Sequence, residues 1–157
     1  MIFAISLKNL LAASTEGPQL TPVASYEGQI VASNLLNGNH TKPDYKGVPS
    51  VIFTIPPMAS VGLLEENAQR QGLRFKTNHM DTSGWYSSKR IGERYSAFKV
   101  LIEENTGKIL GAHILGPHAE EVINIFAVAI RMGISANQLK QTMFAYPTNS
   151  SDITYML

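Results

Sequence analysis

An α+β domain is the fold class this sequence predicts: a small antiparallel sheet with flanking helices. Three observations carry that expectation. Phe98, Val100 and Ile102 fall on one face of an alternating stretch, Tyr95 to Glu103, the period of a strand. Asn105-Thr106-Gly107 reads as a hairpin turn, with Ile109 to Leu115 as the returning strand. Strands then give way to helices at Ala119, an order that belongs to α+β folds.

The elements follow in chain order. Ile2, Phe3 and Ile5 are β-branched or aromatic and predict a short buried strand over Met1 to Leu7. Thr21-Pro22 opens a helix, with Thr21 as N-cap and Pro22 at the first helical position. Val23, Tyr26, Ile30, Val31 and Leu35 recur at helical spacing, and Gly38 stops that helix. Asn37 to Lys46 is a polar loop. Val51 to Thr54 predicts a strand, ended by Pro56-Pro57. A helix over Glu65 to Gln71 closes at Gly72, with Leu64 a poor cap, and Phe75 to Met80 forms a strand.

Ala119 to Met132 carries the plainest helix signal. Glu120 and Glu121 suit its first turn, Arg131 its last, and Gly133 ends it. Almost every residue between is apolar, which predicts burial on several sides and a partner surface, and in a dimer the buried faces are expected to include this helix and the Phe98/Val100/Ile102 strand. Ser135 caps a second helix, Ala136 to Thr142.

Composition narrows the chemistry. The chain has 157 residues, a net charge of +1, 16% charged residues and no cysteine. That length suits one domain or two small ones. Without cysteine there is no disulfide, thiol nucleophile, zinc ribbon or iron–sulfur cluster. The balanced charge predicts no nucleic-acid partner, and the charged fraction is low against about 25% in ordinary domains, which predicts surface hidden against another chain or domain. No apolar run approaches the ~20 residues of a membrane helix. Lys8 follows the apolar start instead of preceding it, the reverse of a secretory signal, so the expected compartment is the cytoplasm.

Motifs for chemistry are sparse. Neither GxGxxG, GxxxxGK nor GxSxG occurs. His113 and His118 with Glu120 and Glu121 form the one His–acid grouping, and an ordinary half-exposed surface is the better reading, so no metal is expected. Lys89-Arg90 reads as a solvated loop, and Trp85-Tyr86 as core or interface packing before a ligand platform. Spacing alone ends at a dimeric α+β domain.

Particular strings say more. Leu20-Thr21-Pro22-Val23-Ala24 is followed by Glu27-Gly28, Val48-Pro49-Ser50-Val51-Ile52-Phe53-Thr54 and Ser60-Val61-Gly62-Leu63. Then come Gly107-Lys108-Ile109-Leu110-Gly111-Ala112-His113, Arg131-Met132-Gly133 and Tyr146-Pro147-Thr148. In this order they resemble the C-terminal third of the pyridine nucleotide-disulfide oxidoreductases, the glutathione reductase family, over about residues 20–157.

The resemblance implies residues 1–46 as a remnant of an FAD-binding domain with one helix, and 47–157 as a dimerisation domain. It implies a homodimer, with a full-length paralogue as a second partner. It brings Leu20, Thr21 and Pro22 toward a flavin as a helix N-terminus, and places Pro147 beside the cofactor. It puts Tyr146 where the family carries a catalytic histidine and Ser151 where that histidine has its glutamate; Asp152 stands one residue on. A phenol is a poor base at neutral pH but can donate a hydrogen bond or a proton. FAD and NAD(P)H serve the full-length family, and a truncated chain is expected to bind neither alone. Ala4-Ile5-Ser6-Leu7 departs from the family, lacking the Gly and Asp that hold FAD there. Two further expectations stand beside this one: a stand-alone dimerising module without redox activity, and a small-molecule site around Tyr146, Asp152 and His118.

Overall fold

A computed structural model describes residues 17–157. The strand expected over Met1 to Leu7 lies outside them. The chain divides into two compact units, Met1–Tyr45 and Lys46–Leu157.

In the first unit, helix α1 spans Thr21–Asn37. Leu20 is its N-cap, so Thr21 and Pro22 stand one position further into the helix than the capping preference suggested. Leu20 has no side-chain cap bond, and Pro22 lacks an N–H, so the first turn tolerates it at no cost. Val23, Ala24 and Glu27 are buried, while Leu35 and Leu36 at the far end are exposed. Tyr45 Oη donates to Glu27 Oε1 at 2.5 Å, closing the polar loop onto the helix.

The second unit is built on five antiparallel strands: β1 (Ser50–Ile52), β2 (Met58–Gly62), β3 (Phe75–Asp81), β4 (Ala97–Glu103) and β5 (Ile109–Leu115). Their spatial order is β1-β2-β5-β4-β3. The β4–β5 hairpin forms where the turn residues require it, with a register shift at Leu101/Ile102. β2 is an element the sequence did not announce. It follows Pro56-Pro57, is only five residues long and is rich in small side chains, so it shows no strand signal of its own.

The register sorts the side chains into two faces. Ala59, Val61, Phe98, Val100, Ala112 and Ile114 share one face and are buried. Helix α4 (Ala119–Met132) packs there against β2 and β5. Short helices α5 (Ala136–Lys140) and α6 (Ile153–Met156) pack against each other, and α6 reaches β4. Ser135 and Gln138 cap α5 reciprocally, as the capping preference predicts, though the helix stops short of Thr142. On the other face Ser60, His113, Lys99 and His79 form a row across four strands. Helix α2 (Glu65–Arg70) lies over that row: Lys99 Nζ meets Glu65 Oε2 at 2.7 Å.

Two glycines let α2's connection cross the sheet end closely. Gly62 and Gly111 face each other in register, and Leu63 N donates to the Leu110 carbonyl at 2.8 Å. A Cβ on Gly111 would stand 2.1 Å from the Leu63 carbonyl oxygen.

Helix α4 resolves the puzzle of its all-round apolarity. Val122, Ile123, Phe126, Ala127, Ala129 and Ile130 are buried within the same unit. Phe98 and Val100, expected at a partner interface, belong to this core instead. The sheet and the two short helices supply enough apolar surface to cover most of the helix. What remains outward is narrower: Glu121, Asn124, Val128, Arg131 and Met132 are exposed, with Ile125 half-buried.

Candidate functional site

The loop after α5 brings Tyr146, Pro147 and Asp152 to one place. They line a cavity of about 470 Å³ together with Trp85, Tyr86 and Tyr155. The opposite wall comes from helix α3 (Tyr86–Lys89), a single turn without cap or periodicity that sequence patterning missed. Trp85 precedes it and packs against Phe98 of the core, ring centroids 5.8 Å apart, and against Tyr155 at 6.0 Å, edge to face. Trp85 therefore packs against the core, as expected, and also lines the cavity.

Asp152 is half-buried, and its Oδ2 accepts from Ser87 Oγ at 2.5 Å. Burial raises its pKa above the usual carboxylate value, and the Ser87 hydrogen bond works against that rise. The Ser87–Asp152 bond joins residues far apart in sequence, so no local signal pointed to it.

Tyr146 lies in the same wall but is 78% exposed, and its peptide bond to Pro147 is cis. Ser151, in the position the resemblance gives to an orienting glutamate, is committed elsewhere. Its Oγ donates to the Thr148 carbonyl at 2.6 Å and accepts from Thr148 N at 3.1 Å. Ser151 thus closes the Thr148–Ser151 turn and does not orient Tyr146.

The Pro147–Asn149 segment separates this cavity from a smaller one, about 290 Å³, lined by His118, Glu121 and Arg90 among others. Arg90 and the Pro147–Asn149 segment line both, so Tyr146, Asp152 and His118 are neighbours in the fold but not one cluster. His118 caps α4 in the left-handed region, φ 57°, and its Nδ1 stands 3.9 Å from Glu120 Oε1. His113 belongs to the opposite sheet face. Its Nε2 lies 3.1 Å from the Leu63 carbonyl, so that nitrogen carries the hydrogen of the neutral ring, and Nδ1 accepts from Ser60 Oγ at 2.7 Å. Burial lowers its pKa. Among the described residues no group of three or more His, Cys, Asp or Glu is placed to hold a metal.

In the first unit, Thr21 and Pro22 are exposed at the start of α1, and Leu20 is half-buried. The helix has 17 residues and, among the described residues, no side-chain cap, so its N-terminus presents a positive dipole end that suits an electron-rich group. The residues present fit that role.

Comparison with known proteins gives one consistent result. Residues 48–157 match the model of the pyridine nucleotide-disulphide oxidoreductase dimerisation domain. The chain is 52% identical over 146 residues to a Staphylococcus aureus protein described as an uncharacterized 19.7 kDa protein in a mercuric resistance operon, covering 93% of this chain and 81% of that one. It is 35% identical over 134 residues to mercuric reductase of Bacillus cereus, covering 85% of this chain but only 21% of that one. Among solved structures it resembles the HOCl-induced flavoprotein disulfide reductase RclA of Escherichia coli in its Cu(II) complex, with a TM-score of 0.80 and 26% identity over 89% of this chain and 32% of that one. The chain thus spans about a fifth to a third of these reductases. With more than half its length in the family model, the chain belongs to the pyridine nucleotide-disulphide oxidoreductases through their dimerisation domain.

Proposed function

We propose that this chain is the pairing module of a cytoplasmic flavoprotein reductase and joins two copies through the outward face of α4. One observation carries the reading: on a helix otherwise sunk in its own core, Val128 is 57% and Met132 72% exposed, with Ile125 half-buried beside them. A symmetric dimer buries the same patch on both subunits, so a self-complementary apolar strip on one helix suits it. The match to a dimerisation domain supports the same choice.

In the full-length relatives FAD supplies hydride transfer between NAD(P)H and a disulfide or mercuric substrate. Toward that group this chain offers the start of α1, where Leu20, Thr21 and Pro22 would face the flavin, and the loop carrying Tyr146 and Pro147. It has no cysteine to form a redox disulfide. Its own contribution is assembly, with a second copy or a full-length paralogue as partner. Among the described residues no helix is long and apolar enough to cross a membrane.

Sedimentation velocity over a hundredfold concentration range tests the pairing. A dimer that Val128→Asp converts to a folded monomer is the expected result. A wild-type chain that stays monomeric throughout, or a Val128→Asp variant that still dimerises, overturns the assignment of α4. A visible spectrum after incubation with FAD and desalting tests the rest: retained stoichiometric flavin would show that the chain holds the cofactor unaided.

A further inference from the structure

We infer that the cavity walled by Trp85, Tyr86, Tyr146 and Tyr155 binds a small organic cation, an alkyl- or aryl-ammonium, with Asp152 as its counter-charge. This goes beyond assembly and does not depend on it.

The cavity's size, about 470 Å³, is that of a small-molecule site. Its walls are aromatic on several sides, and Met80 adds a polarisable surface. The faces of indole and phenol rings carry negative potential and attract cations, most strongly alkylated ammonium groups that shed water easily. Tyr86, Tyr155 and Tyr146 are each 60% exposed or more, so large aromatic area faces open space.

Asp152 supplies the second, independent observation. It lines the same cavity, is half-buried, and accepts from Ser87. The ion pairs of the described residues join other groups, and none engages Asp152. Burial penalises its charge, and a cation in the cavity would offset that penalty. Arg90 also lines the cavity, but it is exposed to solvent and its charge is screened there. An anion would gain that screened attraction while meeting Asp152 across aromatic faces that repel it. The balance favours a cation.

The chain's single tryptophan is Trp85, so under native conditions its emission comes from the wall of this cavity. The full chain is titrated with benzyltrimethylammonium, benzyl alcohol and benzoate, three probes that share a ring and differ in charge. Saturable quenching by the ammonium probe, with affinity at least about tenfold above the other two, is the expected result. Asp152→Asn should weaken the ammonium probe about tenfold, and Tyr86→Leu several-fold. Circular dichroism confirms folding of each variant. Should Asp152→Asn fail to fold, the charge series on the native chain together with Tyr86→Leu decides. No saturation by the ammonium probe, equal affinity for all three probes, or preference for benzoate that Arg90→Gln abolishes, each overturns the inference.

Discussion

Replacing Phe126 by alanine tests the placement of α4 most directly. Phe126 is 0% exposed and stands in the core cluster formed by the sheet and α4. A buried phenylalanine removes about 150–200 Å² from water; at ~25 cal/mol per Å² its truncation costs about 4 kcal/mol, within the ~3–5 kcal/mol seen for such changes. Val128, one half-turn away, is 57% exposed. Its truncation to alanine loses less than half of a small side chain's burial and gains helix propensity of about 0.5 kcal/mol, so the two effects nearly cancel. Urea unfolding followed by Trp85 emission, at a protein concentration low enough that the chain is monomeric, reads both variants, because Trp85 rests on core residue Phe98. With a slope of ~2 kcal/mol/M, Phe126→Ala should lower the midpoint by about 2 M and Val128→Ala by less than ~0.4 M. Similar shifts for the two variants would mean that α4 is turned differently on the sheet, and the outward strip assigned to pairing would fall with it.

The other expectations concern single contacts. Gly111→Ala places a methyl 2.1 Å from the Leu63 carbonyl oxygen, so it should destabilise by more than ~3 kcal/mol or abolish soluble expression, where Gly72→Ala, with open space around it, should cost only the ~1 kcal/mol of its positive φ. His113 has a lowered pKa, so in the folded state its charged form is disfavoured and the unfolded chain binds more protons below the usual ~6.5; stability is present above that value and lost as pH falls through the folded one. Thermal melts of wild type against His113→Gln between pH 7.5 and 5 should show the wild type losing more on acidification, and parallel pH profiles would remove the role of burial at that ring. Tyr146→Phe should change unfolding free energy by less than ~0.5 kcal/mol, since the phenol is 78% exposed; a loss above ~1 kcal/mol would point to a structural bond at that hydroxyl.

The fold was legible where local chemistry and tertiary burial agree. The β4–β5 hairpin, α4 with its flanking acids and Gly133, and the Ser135 cap all carry their own signals, and all stand where those signals place them. β2 and α3 were illegible because neither is specified locally: Met58–Gly62 becomes a strand by pairing on both sides, and Tyr86–Lys89 is one turn held between Trp85 and Asp152. The interface expectation erred for a related reason. Apolar periodicity reports that a face is buried and says nothing of whether the covering surface is the same chain. Phe98 and Val100 turned out to be covered by their own helices. For the site, Tyr146, Pro147 and Asp152 were marked by sequence, yet Trp85, Ser87 and Tyr155 complete it from segments whose proximity only the folded sheet creates.

The arrangement of Tyr146, Ser151 and Asp152 bears on what kind of chemistry this loop can support. A general base needs both a suitable pKa and a partner that fixes its orientation. Tyr146 is largely exposed, and Ser151, at the position the resemblance gives to an orienting glutamate, spends both its donor and an acceptor on Thr148. Asp152 turns instead toward Ser87. The loop's hydrogen bonds are therefore satisfied internally, and they shape a wall without organising a proton path. Any catalytic use of the Tyr146 hydroxyl must draw its orienting contact from another subunit or domain. That requirement fits the pairing proposed for the outward face of α4, which would make assembly the precondition for any reaction at this loop.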